Sequence, residues 1–153
     1  MAILEMAGVT KEYPLGTTIV HALRGIDFSV EAGELLSIVG PSGSGKTTML
    51  NLIGCIDSPT AGSIRVHGQP LSGMSDKDLT GLRLNRIGFI FQTFNLIPVL
   101  NVIENVEFPL VLMKKLGRAE IRERTMHFIN AVGLADHANH RPAELSGGQR
   151  QRV

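Results

Sequence analysis

The stretch Gly40-Pro41-Ser42-Gly43-Ser44-Gly45-Lys46-Thr47 constrains this chain more than any other. It fits the spacing Gly-x-x-x-x-Gly-Lys-Ser/Thr, and its surroundings fit as well. Leu35-Leu36-Ser37-Ile38-Val39 precedes it, a nearly continuous apolar run of the kind that forms a strand buried on both faces. Met49, Leu50, Leu52 and Ile53 follow at helical spacing. The segment reads as strand, glycine-rich loop and helix. Such a loop bends tightly enough for backbone N–H groups to converge on one anion. It also opens a helix, whose first turn carries unpaired donors and partial positive charge. Lys46 adds a full charge, and the Thr47 hydroxyl is a hard oxygen donor suited to Mg2+. Each hydrogen bond to a charged oxygen contributes about 1.5–3 kcal/mol, so several together account for tight phosphate binding.

The remaining pattern is mixed. Ile3 to Val9 alternates loosely and Ile26 to Val30 alternates, so both read as strands. Glu31-Ala32-Gly33 and Ser58-Pro59-Thr60-Ala61-Gly62 are turns, and Ser63 to His67 is a short strand. Ser75 with Asp78 predicts a capped helix to about Leu84, and Ile87 to Phe91 a second apolar strand. Asn101 with Glu104 predicts a helix running toward Lys115, broken by Gly117. Ala119 to Val132 is amphipathic, with Ile121, Thr125, Phe128, Ile129 and Val132 on one side and Gly133 as its stop. The order suggests an α/β core followed by a helical insert.

Bulk properties exclude several classes. With 15 basic against 14 acidic side chains, the net charge is +1, which gives no electrostatic basis for binding nucleic acid. No apolar run approaches the roughly 18 residues of a membrane span. The opening MAILEMAG has neither a basic n-region nor a long apolar stretch, so no secretory signal is expected. The single cysteine, Cys55, excludes an internal disulfide and reads as a packed apolar residue in a reducing compartment.

The loop alone leaves kinases, GTPases and several ATPase groups open. Two further segments choose. Leu145-Ser146-Gly147-Gly148-Gln149, continued by Arg150-Gln151-Arg152-Val153, resembles the signature motif of ABC-transporter ATPases. Phe91-Gln92, followed by Thr93-Phe94-Asn95-Leu96-Ile97-Pro98, resembles their Q-loop. All three motifs stand in the family's order across essentially the whole chain. Tyr13-Pro14-Leu15-Gly16, His21-Ala22-Leu23-Arg24-Gly25 and Ile103-Glu104-Asn105-Val106-Glu107 resemble the lipoprotein-releasing and macrolide-export type.

The resemblance implies an α/β fold: a P-loop NTPase core, an N-terminal antiparallel β part and an inserted α-helical subdomain, incomplete at the C-terminus. Residues 1–92 would form the nucleotide-binding core, 93–144 the helical subdomain, and 145–153 the signature and the start of its helix. ATP and Mg2+ are the implied ligands. Gly40, Pro41, Ser42, Gly43, Ser44, Gly45, Lys46, Thr47 and Thr48 would hold the phosphates, with Thr47 and Gln92 toward the metal. Lys46 and Gln92 would be catalytic. Ser146, Gly147, Gly148 and Gln149 would face the γ-phosphate held by a second copy, so that ATP lies between two subunits of a homodimer. A hydroxyl and close N–H groups at a helix start suit that role. Tyr13 would stack on adenine, which needs only a flat π-face. Read alone, Tyr13 is equally suited to packing, and Gln92 is one polar residue at a strand end. Residues 92–107 would meet a transmembrane permease, placing the chain in the cytoplasm against the inner face of the plasma membrane.

Other constellations are weaker. His137 and His140 form His-x-x-His, but in a polar stretch before Pro142 that reads as a solvated loop. Glu104 and Glu107 lie one turn apart; the first reads as a cap and the second as a surface or partner-facing charge. The run from Arg118 to Arg124 reads as a solvated helix face. The family also expects a later strand ending in Asp and Glu, the Glu acting as general base, a role that contributes about 10²–10⁴-fold. These do not occur by Val153. The chain is therefore expected to bind ATP and, alone, to be inactive as an ATPase. The competing readings are a nucleotide-binding fragment without catalysis and a non-transport ATPase of DNA repair or translation. One cysteine, near-neutral charge and the lack of long heptads speak against the last.

Overall fold

The computed structural model describes residues 2–153, which fall into two compact units, one ending at Ile87 and one running from Gly88 to Val153. In the first, β1 (Ala2–Leu15) and β2 (Thr18–Glu31) form a long antiparallel hairpin. β3 (Ala61–Val66) pairs with the other edge of β1, and β4 (Gln69–Pro70) pairs with β3. The sheet order is β2-β1-β3-β4, all antiparallel.

The loose alternation in β1 has a cause. Leu4 and Met6 are buried, and the next buried residue is Val9, not residue 8. Register against β2 shifts between Met6 and Val9. Gly8, at φ 58°, absorbs the extra residue of a β-bulge, and its N–H donates to Asp27 Oδ1 at 2.7 Å. The helices α1 (Lys46–Ile53) and α2 (Asp76–Arg86) add Met49, Leu52 and Leu82 to the core that Leu4, Met6 and Val9 begin. Ser75 caps α2, accepting from the Asp78 N–H at 3.3 Å. Cys55 is buried in this core, and burial raises its thiol pKa despite the opposing Arg83 charge.

Two expected strands do not form. Leu35 to Val39 has no strand structure, with Leu35 98% and Val39 87% exposed. Ile87 to Phe91 has none either, and Ile90 is 95% exposed. A strand exists only through its ladder of inter-strand hydrogen bonds. No described residue pairs with either segment, so their apolar composition is not converted into burial. Only Ile38 and Ile87 pack partly against the first core.

The second unit is helical. α3 (Val102–Met113) starts at a capping box: Glu104 N–H donates to Asn101 Oδ1 and Asn101 N–H to Glu104 Oε2, both at 2.8 Å. The first helical N–H groups are also satisfied. Val102 N–H donates to the His140 carbonyl at 3.0 Å and Ile103 N–H to that of Ala138 at 3.1 Å. α3 ends at Met113 with Lys114 as its C-cap, close to the expected end; Gly117, expected to break it, instead caps α4 (Arg118–Ala131). Along α4 the buried stripe is Ile121, Thr125 and Ile129, one position per turn. Phe128 and Val132, expected beside them, are 54% and 39% exposed, because the packed face is narrower than the apolar pattern.

Gly133 stops α4 as expected. Its N–H donates to the Asn130 carbonyl at 3.0 Å, and Leu134 N–H to that of Ile129 at 2.9 Å, a Schellman closure. Leu134 and Ile129 then share a core with Val102, Ile103 and Leu145. The stretch from Asp136 to Arg141, expected as loop, begins within a 3-10 turn, Ala135–His137, and a second, Pro142–Glu144, follows it. Among the described residues no helix is long and apolar enough to cross a membrane.

Candidate functional site

The loop after Val39 turns into α1 at Gly45, which caps the helix with φ 89° and ψ 3°. Only glycine suits this position. The backbone is left-handed, and a Cβ would stand 2.6 Å from the Ala22 carbonyl oxygen and 2.9 Å from Leu23 Cδ2. The helix start is therefore pressed against β2. Among the described residues no side chain caps the first turn of α1, and no acidic residue lies in it. Its N–H groups remain available to an anion.

Lys46 folds along the loop. Its ammonium donates to the carbonyls of Gly40 at 2.8 Å and Pro41 at 2.7 Å, and to Ser44 Oγ at 3.4 Å. Ser44 N–H donates to the Pro41 carbonyl at 3.3 Å. A cleft of about 370 Å3 opens beside the loop, lined by Tyr13, Val20, His21, Ala22 and residues 42–48, from Ser42 to Thr48. The sequence-predicted Tyr13, Ser42, Gly43, Ser44, Gly45, Lys46, Thr47 and Thr48 thus share one cavity. Gly40 and Pro41 contribute their carbonyls to Lys46. Among the described residues no carboxylate lines this cleft.

Tyr13 is held from outside the cleft. Its hydroxyl donates to Asp57 Oδ2 at 2.7 Å. Lys11 donates to Asp57 Oδ1 at 2.6 Å and to the Ser58 carbonyl at 2.7 Å. Its ammonium lies 4.9 Å from the centroid of the Tyr13 ring. The bond to Asp57, aided by burial, raises the Tyr13 pKa above its ordinary value. Burial pushes the Asp57 carboxyl up, but hydrogen bonds from Lys11, Tyr13 and the Ser58 N–H outweigh it and hold Asp57 below the usual carboxylate value. Neither Lys11 nor Asp57 stood out in the sequence. Their signal was the Lys-x-Tyr spacing, which puts two side chains on one strand face.

The other predicted residues lie in the second unit. Gln92 is exposed, just after Phe89 and Phe91, whose rings stack at 5.4 Å. The Phe91 carbonyl accepts from Gln151 Nε2 at 3.4 Å, and the Arg150 guanidinium sits 4.8 Å from the Phe94 ring centroid. Ser146 caps the short helix α5 (Gly147–Arg152), as its place before two glycines predicts. The cap is reciprocal: Gln149 N–H donates to Ser146 Oγ at 3.2 Å, and Ser146 N–H to Gln149 Oε1 at 2.7 Å. Leu145, buried, anchors this start in the second core. Gln149 Nε2 meets His137 Nε2 at 2.8 Å, and the His137 and His140 rings lie edge to face at 5.1 Å. Among the described residues no group of three or more His, Cys, Asp or Glu is arranged to hold a metal ion.

The family model described as ABC transporter matches residues 23–153. ABC transporter H family member 2 of Dictyostelium discoideum is 47% identical over 152 residues, which cover 99% of this chain and 30% of the relative. A macrolide export ATP-binding/permease protein, MacB of Rhodopseudomonas palustris, is 43% identical over 150 residues, covering 98% of this chain and 23% of its own length. The solved ATP-binding cassette MJ0796, a dimer in a post-hydrolysis state with ADP and Pi, superposes with a TM-score of 0.90 at 43% identity. That match covers 97% of this chain and 66% of the cassette. The chain thus spans between about a quarter and two thirds of these relatives. The matched region carries both the glycine loop pressed against β2 and the Ser146-capped helix start, and the chain belongs to the ABC transporter family.

Proposed function

We propose that this chain is the ATP-binding subunit of an ABC transporter that couples ATP binding and hydrolysis to export or lipoprotein release through a membrane permease. The observation that carries this reading is the single cleft shared by Tyr13 and the loop from Ser42 to Thr48. It offers a flat ring at one side and a cationic, donor-rich turn at the other. Those are the two halves of a nucleoside triphosphate.

The residues have distinct tasks in this reading. The loop N–H groups and Lys46 take the phosphate oxygens, and Lys46 exchanges the Gly40 and Pro41 carbonyls for them. Thr47, exposed at the start of α1, and the amide of Gln92 offer oxygen donors of the kind that Mg2+ accepts, the remaining ligands being phosphate and water. When bound, the metal would supply neutralisation of phosphate charge. Ser146, Gly147, Gly148 and Gln149 present a capped helix start to the loop-bound phosphates of a second copy, giving a homodimer with nucleotide between subunits. The name of the MJ0796 structure describes such a cassette as dimeric with ADP and Pi. The segment from Gln92 to Glu107 contacts the permease, which keeps the chain at the inner face of the membrane.

The described residues do not supply the general base in this reading. Among the described residues no carboxylate lines the cleft, and several are engaged elsewhere: Asp57 with Lys11, Glu107 with Arg122, Glu120 with Arg124, and Glu104 and Glu144 at helix caps. Residues 2–153 bind ATP and do not turn it over at rates near 1 per second, the low end of ordinary enzymes. Titration of MgATP into the purified protein and into Lys46→Ala tests the site. Unimpaired binding by Lys46→Ala would refute it.

A further inference from the structure

Three side chains from two elements meet behind the cleft. Lys11 and Tyr13 stand two residues apart on β1, and Asp57 lies just beyond the end of α1. The two carboxylate oxygens of Asp57 are divided between them, Oδ1 to Lys11 at 2.6 Å and Oδ2 to the Tyr13 hydroxyl at 2.7 Å. The Ser58 N–H also donates to Oδ1 at 2.7 Å, and Lys11 donates to the Ser58 carbonyl at 2.7 Å. The Lys11 side chain is 12% exposed and that of Asp57 29%. Tyr13 lines the cleft, while Lys11 and Asp57 do not.

A tyrosine side chain has two main freedoms. It swings about the Cα–Cβ bond, and its ring rolls about the axis through the hydroxyl. A hydrogen bond at the hydroxyl stops the swing but leaves the roll, because the oxygen lies on the roll axis. A cation against one face, 4.9 Å from the centroid, opposes the roll and occupies that face. The two partners therefore restrict different motions, and the carboxylate that stops the swing also holds the cation that stops the roll. One ring face remains for a ligand.

We propose that Asp57 and Lys11 are positioning residues that hold Tyr13 as a one-sided stacking platform for the base of the nucleotide whose phosphates the glycine loop takes. The inference rests on the nucleotide-binding reading above and adds the residues that preorganise its base site. Holding the ring in advance removes an ordering cost from the binding step. Asp57 and Lys11 touch neither base nor phosphate, so their loss acts through Tyr13 alone.

The test is calorimetric titration of the purified protein with MgATP and, separately, with magnesium tripolyphosphate, which has the phosphates without the base. Tyr13→Ala should weaken ATP by roughly ten- to a hundredfold, the scale of one lost aromatic–base stack. Asp57→Ala should weaken ATP by about three- to tenfold, a part of that stack. Both should leave tripolyphosphate within about twofold, since neither changes the loop donors. Tyr13→Phe keeps the ring and the Lys11–Asp57 pair and loses only the hydroxyl bond, so it should weaken ATP less than Asp57→Ala does, and the double variant should add nothing to Asp57→Ala. Asp57→Asn retains an acceptor for the hydroxyl and should recover part of the loss.

Asp57→Ala that keeps the wild-type ratio of ATP to tripolyphosphate affinity overturns the inference. So does an equal loss on both ligands, which marks a general structural role. If Asp57→Ala does not fold, Tyr13→Phe and Asp57→Asn decide on the same ratio. Tyr13→Ala with an unchanged ratio is a different result, because it removes the stacking reading itself.

Discussion

The Asn105 side-chain carbonyl accepts the Ile97 N–H at 2.8 Å, and its amide donates to the Leu100 carbonyl at 3.0 Å and the Asn101 carbonyl at 2.9 Å. One residue on α3 therefore closes the turn that leads into its own helix. Both polar ends of the amide are used, which neither an apolar residue nor a carboxylate reproduces. Asn105→Leu should destabilise the second unit by about 1–3 kcal/mol, the cost of leaving partly buried backbone groups unpaired. Asn105→Asp should be no better, because its carboxylate faces the carbonyls that the amide served. Urea unfolding and hydrogen exchange at the Ile97 amide measure this. Wild-type protection of that amide in Asn105→Leu would refute the role.

Gly45→Ala should cost more than an ordinary glycine substitution. The residue is at φ 89°, and a Cβ would meet the Ala22 carbonyl oxygen at 2.6 Å. Backbone strain of this kind costs of order 1–3 kcal/mol, before the clash is counted. The expected outcome is a lower thermal midpoint together with loss of phosphate binding, since the turn and the helix start move as one. Gly117→Ala serves as the control. Gly117 caps α4 at φ −74°, with nothing near its would-be Cβ.

The Asp57–Tyr13 bond sets a pH window on both sides. Asp57 is held below its ordinary value of 3.8, so its contribution is present above that value and is lost as pH falls through the lower folded pKa. Tyr13 is raised above 10.0, so its contribution is present below that value and is lost as pH rises through the higher folded pKa. Asp57→Asn should flatten the acid limb of stability against pH, and Tyr13→Phe the alkaline limb. Thermal midpoints from pH 2 to 11 check the pair. An acid limb identical in Asp57→Asn and wild type would count against it.

Thr125 offers a stabilising change. It is fully buried on α4, and its hydroxyl has no hydrogen-bond partner among the described residues. A buried hydroxyl without a partner costs about 1–3 kcal/mol. Thr125→Val keeps the shape and removes the polar atom. The thermal midpoint should rise by roughly 2–6 °C. A fall would show that the hydroxyl is satisfied in solution.

Local chemistry was legible in the sequence wherever the partner lies nearby in the chain. Ser75 with Asp78, Asn101 with Glu104, and Gly133 as a stop are interactions over three or four residues, and each appears as written. The glycine loop is legible for the same reason. Leu35 to Val39 and Ile87 to Phe91 failed because apolar content says that a strand wants neighbours, not that it has them. The Asp57–Tyr13 bond spans 44 positions, and no single-residue signal marks it. His137 is similar: its contact with Gln149 depends on how the loop after α4 folds back.

The bulge at Gly8 reaches further than the strand it interrupts. It works as a phase shift in a two-state code, exchanging which alternate residues look inward. Upstream the inward set is Leu4 and Met6; downstream it is Val9, and in step with it Lys11 and Tyr13. Without that one unpaired residue, Thr10, Glu12 and Pro14 would occupy those places, and Asp57 would face an acid instead of an ammonium and a phenol. The address of the tyrosine at the cleft is written five residues earlier, in a glycine that bonds to Asp27 and lines no part of the cleft.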